Sequence, residues 1–275
     1  MQFGTVGTPI STPKKPGGSL GAIEKLHELN LGALELGWVQ SVRISEEKCS
    51  EIKKHVALHQ ILLSVHAPYY INLNASDEEW PKSRQRLMDA AFYGNLAGAT
   101  DIIFHPGSYF EKPSEEVLKI AIPRLQGCVD ELRRDGNPVT FRPETMGKSS
   151  LLGSLEDILL MSREVEGVLP CLDFAHLHAR PGDGSVNSKE EWLGILDRYQ
   201  KTLGEVSLKH LHIHLSGIEY SQKGERNHLP IQDSDLHIHD LLSVLNKAGC
   251  SGRILSESPI LEEDAVFMQT LWQTL

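Results

Sequence analysis

Eight short runs rich in aliphatic and β-branched residues recur along the chain, at residues 2–7, 32–37, 61–66, 101–105, 138–144, 169–176, 210–216 and 253–257. Between them lie stretches whose apolar residues follow helical spacing, at 46–59, 81–97, 114–134, 155–164, 189–203 and 236–248. Strands that alternate with helices over short connections pair in parallel. Eight such repeats predict a closed α/β barrel of the (β/α)8 TIM type rather than an open doubly wound sheet. The 275 residues suit one such barrel, and no break in composition splits off a second domain, so residues 1–275 are read as a single unit. A Pro- and Gly-rich segment at 8–18 follows the first strand, where barrels of this kind carry active-site loops.

In such barrels the reactive groups sit at the C-terminal ends of the strands and point inward. Read that way, the third run ends on His66, the fourth on His105, the fifth on Glu144, the sixth on Asp173 and His176, the seventh on His214 and the eighth on Glu257. Six consecutive strands thus deliver His, Asp or Glu to one rim. Imidazoles and carboxylates gathered at this density are costly to bury unless paired or bound to cations. Mixed nitrogen and oxygen ligands suit zinc or manganese, and the lack of cysteine among them argues against a structural zinc site. Glu144, in the middle of the set, is placed to bridge two metals of a phosphodiester-cleaving centre. In the seventh run His210, His212 and His214 alternate with Leu211, Ile213 and Leu215, which puts the imidazoles on one face. His214, beside the Ser216-Gly217 exit, is read as a ligand; His210 and His212 are expected to be buried, hydrogen-bonded core residues.

The balance of 27 Lys plus Arg against 37 Asp plus Glu gives −10, which argues against a non-specific nucleic-acid binder while leaving room for a local basic rim. Lys14, Lys15, Arg142, Lys148, Arg180 and Arg226 are candidates for that rim. Arg142, if it turns into the barrel, is expected to pair with a ligand carboxylate. No apolar run is long enough to span a bilayer and no signal-peptide order is visible, so the protein is read as cytoplasmic. Cys49, Cys128, Cys171 and Cys250 form no C-x-x-C pair and are taken as reduced. His27, His55, His59, His237 and His239 are expected to lie away from any metal.

The chain resembles the endonuclease IV family of abasic-site endonucleases, within the xylose-isomerase-like barrel superfamily. The likeness rests on Pro16-Gly17-Gly18 before a helix, Gly32-Ala33-Leu34-Glu35, Ser64-Val65-His66-Ala67-Pro68-Tyr69, His105-Pro106-Gly107-Ser108, Pro143-Glu144-Thr145, Asp173-Phe174-Ala175-His176, His214-Leu215 and Glu257-Ser258-Pro259. It implies one zinc held by His66, His105 and Glu144, with Glu144 bridging to a second held by Asp173, His214 and Glu257. In the family a third zinc uses the histidine matching His176 and an Asp-x-His pair. Here that pair reads Glu225 to Asn227 or, one place later, His228; His176 with His228, and Glu225 as a further ligand, is the expectation. Two or three zinc ions, or manganese in their place, would serve hydrolysis of the phosphodiester 5′ to an abasic site, with Glu144 and Glu257 as catalytic carboxylates. Tyr69, Arg226 and Lys148 would contact damaged DNA, and the protein would act as a monomer.

A second reading from the same superfamily is a sugar isomerase or epimerase. There Glu144, Asp173, His214 and Glu257 would hold a single manganese or magnesium, and the two glutamates would shuttle a proton beside a carbonyl. A third is a catalytically silent metal-binding module. His66 and His105 favour the nuclease, since a one-metal sugar enzyme has less need of them.

Overall fold

A computed structural model describes Met1–Leu275. Its strands are β1 (Gln2–Val6), β2 (Ala33–Gly37), β3 (Leu62–His66), β4 (Asp101–Phe104), β5 (Thr140–Pro143), β6 (Cys171–Asp173), β7 (Leu211–Leu215), β8 (Gly217–Ser221), β9 (Gly224–Leu229) and β10 (Gly252–Ser256). Eight of them pair in parallel in the order β5-β4-β3-β2-β1-β10-β7-β6, while β8 and β9 form a separate antiparallel hairpin. Each of the eight apolar runs supplies one barrel strand. The ladder is continuous except between β5 and β6, where only the isolated parallel bridges Phe141–Val168 and Glu144–Cys171 close the ring. The architecture is a TIM barrel.

Helices α1 (Gly18–Glu28), α2 (Glu46–His59), α3 (Trp80–Ala97), α4 (Ser114–Arg134), α5 (Leu155–Glu164), α6 (Phe174–Ala179), α7 (Lys189–Leu203), α8 (Ile238–Lys247) and α9 (Glu262–Gln273) connect the strands. Their starts are chemically marked. Ser154 with Asp157 and Ser188 with Glu191 form reciprocal capping boxes, satisfying backbone N–H groups that would otherwise have no partner. One apolar cluster of 60 buried residues fills the space between the sheet and these helices. No helix is long and apolar enough to cross a membrane.

Three local features depart from the sequence reading. The run at 169–176 is strand only to Asp173, because the Asp173 carboxylate accepts the His176 N–H at 2.6 Å and turns the chain into α6. His210 is exposed in the turn before β7 and is no core residue. Arg142 does turn into the barrel, but toward the strand starts. There it pairs with Asp101 and donates to the carbonyls of Pro170 at 2.8 Å and His210 at 3.0 Å, not to a ligand carboxylate.

Asp101 also takes Arg253 Nη2 at 2.8 Å, so one carboxylate neutralises two guanidiniums beneath the barrel interior. Burial alone would raise its pKa; Arg142 and Arg253 outweigh that and hold it far below the ordinary carboxylate range. Removing the charge strands both cations, a change that costs about 3–5 kcal/mol for buried pairs. Asp101→Asn should therefore lower the denaturant midpoint by an amount corresponding to that loss. A variant within about 1 kcal/mol of the parent would mean that the guanidiniums find water instead.

Candidate metal centre

The strand-end residues come together. His66 is the last residue of β3, His105 and Glu144 directly follow β4 and β5, Asp173 closes β6, His214 sits near the end of β7 and Glu257 follows β10. Their potential ligand atoms fall into nested groups, each with all atoms within 4.8 Å: His66, His105 and Glu144; Glu144, Asp173, His214 and Glu257; and Asp173, His176 and His228. Glu144 belongs to the first two and Asp173 to the last two. All but His105, His228 and Glu257 are buried, and the mouth above them is a cavity of about 320 Å³ whose lining also includes Val6, Tyr69, Met146 and Glu225.

The ring orientations fit cation binding. His66 Nδ1 donates to the Ala67 carbonyl at 2.9 Å, His176 Nδ1 to Thr145 at 2.9 Å and His228 Nδ1 to Glu257 at 3.1 Å. A carbonyl only accepts, so each ring carries a proton on Nδ1 and turns Nε2, the nitrogen that can ligate a cation, to the centre. The Nε2 atoms of His176 and His228 then face each other at 3.2 Å. Two lone pairs at that distance repel, so either a proton carried by His176 or a metal cation lies between them. Two nitrogens bound to zinc at about 2.05 Å in a tetrahedron lie about 3.3 Å apart. Asp173 adds a second sign: its Oδ2 is buried with no hydrogen-bond partner, a costly arrangement for a carboxylate oxygen lacking a cation.

Glu225 and His228 reach this third group through a defect in the hairpin. Glu219 pairs with Asn227 but Tyr220 pairs with Glu225, so Arg226 is an extra residue and the register shifts there. The shift turns His228, rather than Asn227, to the same face as Glu225, which lies 3.6 Å from His176 Nε2. Asn227 and Arg226 instead bond Glu219, at 2.9 and 3.0 Å. Gly147 makes room for this approach, since a Cβ there would sit 2.7 Å from the Glu225 Cβ and 3.1 Å from the His176 ring.

Charge balance follows from these contacts. For Glu144 the penalty of burial is outweighed by His214 and by close contacts with His105 and His176 at 3.3 Å, and its carboxyl is held well below the usual range. Burial would lower His176 and His214, yet Asp173 and Glu144 push the first well above an ordinary imidazole, and the carboxylates of Glu257, Glu35 and Glu144 do so for the second. Asp173 goes the other way: burial, reinforced by Glu257 and Glu144, raises it to about 6 against the pull of His176 and His228.

Of the expected rim groups, Tyr69 stacks on His105 at 4.9 Å between ring centroids and lines the mouth. Lys14, Lys15 and Lys148 are exposed. Arg180 is not available as a rim cation, because its guanidinium donates to the carbonyls of Met146, Lys148 and Leu151 at 2.7–3.1 Å. His27, His55 and His59 lie on α1 and α2, and His237 and His239 lie at the start of α8, outside all of these ligand groups. The sequence reading passed over Glu35 except as part of a motif. It is fully buried beneath the cluster against His212 and His214, and the only hint was a charge inside an apolar strand. Cys171 lies within ligand distance of the same two histidines, but burial raises its thiol and keeps it protonated.

Residues 23–271 match the family model described as a xylose isomerase-like TIM barrel. An uncharacterized protein of Methanocaldococcus jannaschii is 37% identical over 99% of this chain and 97% of its own length. A probable endonuclease 4 of Staphylococcus saprophyticus is 29% identical over 75% of this chain, which spans only 61% of that protein. Among solved structures, a D-tagatose 3-epimerase-like protein superposes with a TM-score of 0.73 at 19% identity, covering 100% of this chain and 96% of its own. Endonuclease IV from Thermus thermophilus superposes at 0.68 and 20% identity, covering 98% of each chain.

Because His176 and His214 must shed protons to ligate, and Asp173 must also do so below about pH 6, cation binding should release protons and weaken as pH falls. Calorimetry in buffers of different ionisation enthalpy should show net proton release at pH 7. Chelator competition should show affinity dropping at least about tenfold per unit below pH 6. Affinity that stays flat between about pH 5 and 8 would exclude these groups as ligands.

Proposed function

Because the chain belongs to the xylose isomerase-like TIM barrel family, and its rim gathers two further imidazole pairs around a four-ligand site, we propose that it is a metal-dependent phosphodiesterase of the endonuclease IV type. In this reading it holds two or three zinc ions and cuts DNA 5′ to abasic sites. The observation that carries the reading is the flanking of Glu144, Asp173, His214 and Glu257 by His66 with His105 on one side and His176 with His228 on the other. A single-metal sugar enzyme uses the central four alone. Three adjoining sites suit a phosphodiester, whose attacking oxygen, leaving oxygen and non-bridging oxygens all need charge stabilisation.

When bound, the cations supply an activated water nucleophile and neutralise the charge that builds up on phosphate. The chain's own groups set the geometry. Glu144 and Asp173 are the two residues shared between groups, so they would hold neighbouring ions in common. Glu257, at the edge of the cavity with a side chain 13% exposed, is placed to orient water entering from the mouth. Tyr69, half exposed and braced on His66 and His105, offers a flat face to a sugar or base beside the lesion. Lys148 and Arg226 stand on the loop and hairpin that flank the mouth, where phosphate contacts are expected. The epimerase reading draws on the intact central four and on the likeness to the epimerase-like fold, and it predicts different metal content.

Protein purified without added metal, assayed for metal content and for nicking of an abasic duplex, separates the two. Two or three equivalents of zinc with nicking supports the nuclease; one exchangeable manganese and an intact duplex overturns it in favour of the epimerase. Within the nuclease reading, His228→Ala should leave two ions bound and nicking reduced but detectable, because the third pair neutralises charge rather than forming the nucleophile. Three ions retained, or nicking at the parent rate, would remove His228 from the ligand set.

A further inference from the structure

His66, His176 and His228 are each aimed by a backbone carbonyl; the fully buried His214 is not. Its Nδ1 faces the cluster, 3.3 Å from Glu144 Oε1 and 3.4 Å from Glu257 Oε1. Its Nε2 points to the opposite side, 3.1 Å from Glu35 Oε1. The two atoms are in ion-pair contact without hydrogen-bond alignment, and neither has a hydrogen bond to any other group. Glu35 lies on β2 and His214 on β7, which are separated in the ladder by β1 and β10, so this contact crosses the barrel interior. Glu35 is itself fixed. Its other oxygen accepts from Ser64 Oγ at 2.7 Å and from His212 Nε2 at 3.0 Å, and all four side chains are buried.

We propose that Glu35 is a positioning residue for the metal centre, holding the His214 ring so that Nδ1 faces the cations, with His212 and Ser64 as the braces that keep its carboxylate in place. A carboxylate offers two acceptor oxygens and no donor, so both His212 and His214 must present Nε2–H to it. For His214 this leaves Nδ1, 3.3 Å from Glu144 Oε1, as the nitrogen that gives up its proton to ligate, and a carboxylate partner raises the basicity of the ring above what a carbonyl provides. An apolar residue at 35 would leave the ring free to turn. Glutamine, nearly the same shape, has one acceptor and one donor. It can still receive His214 Nε2–H if its amide group turns to His212, whose unpartnered Nδ1 can then carry the proton. The inference holds under either functional reading, because His214 belongs to the central four-ligand group in both.

The test measures zinc affinity by chelator competition on the full chain, independently of any activity. Partners of metal-ligating histidines typically contribute about 10- to 100-fold in affinity. Glu35→Ala should thus weaken the His214-dependent ion by about 100-fold and Glu35→Gln by about tenfold, while the Gln variant keeps the parent's thermal unfolding. The discriminating measurement is a double-mutant cycle. If Glu35 acts through His214, Glu35→Ala should have almost no further effect in a His214→Ala background. A loss of the same size in both backgrounds, or unchanged affinity in both Glu35 variants, overturns the proposal. Should the Ala variant not fold, the cycle is run with Glu35→Gln and read the same way: its tenfold loss must vanish without His214.

Discussion

The upper half of the barrel is organised by one carboxylate that has no access to water. Glu144 is fully buried, and imidazole nitrogens of His66, His105, His176 and His214 each lie 3.3 Å from its oxygens. An isolated buried carboxylate would take up a proton or pull the fold apart. Here four rings from four segments of the chain converge because it stays charged. Positive charge must be present to match it, as protons on the rings or as cations between them. The two are exchangeable, which is why the same contacts that raise His176 and His214 also mark them as ligands.

The rest of the barrel interior repeats this logic with fixed charges. Glu35 is held by His212, His214 and Ser64, and below it Asp101 is held by Arg142 and Arg253. Where a usual barrel fills its centre with branched aliphatic side chains, this one carries a column of paired polar groups from the strand starts to the rim. His212 marks the middle of the column: burial first, then the nearby Arg253 and Arg142, depress it to about 4 despite Glu35, so it stands neutral between charged neighbours. The apolar packing is displaced outward, between strands and helices.

Much of this was legible from residue order. The strand count and six of the nine helices were readable because period-two and period-3.6 patterns are local properties, and a histidine or acid closing an apolar run has one rim to point at. What escaped depends on three dimensions. The direction of Arg142 is decided by Asp101, 41 residues away, and that of His210 by a turn that ends before β7 begins. Glu35 reads as an ordinary strand residue until β7 is seen across the interior. The placement of His228 was approached through a resemblance, and its mechanism needed the bulge at Arg226. No periodicity reveals a single residue that shifts the phase of a strand.

The gap in the ladder between β5 and β6 bears on how the molecule is assembled. Glu144 stands on one bank of that gap and Asp173 on the other, joined by the Glu144–Cys171 bridge and by Asp173 N donating to Thr145 Oγ1 at 2.8 Å. A cation held by both carboxylates would sit beside the one place where strand pairing is interrupted. Ion uptake and tightening of the ring would then be a single cooperative event, like a clasp on a bracelet. Stripping the ions would loosen the cylinder first along this line, and a chelator would act as a local denaturant of β6 well before it disturbed the opposite wall.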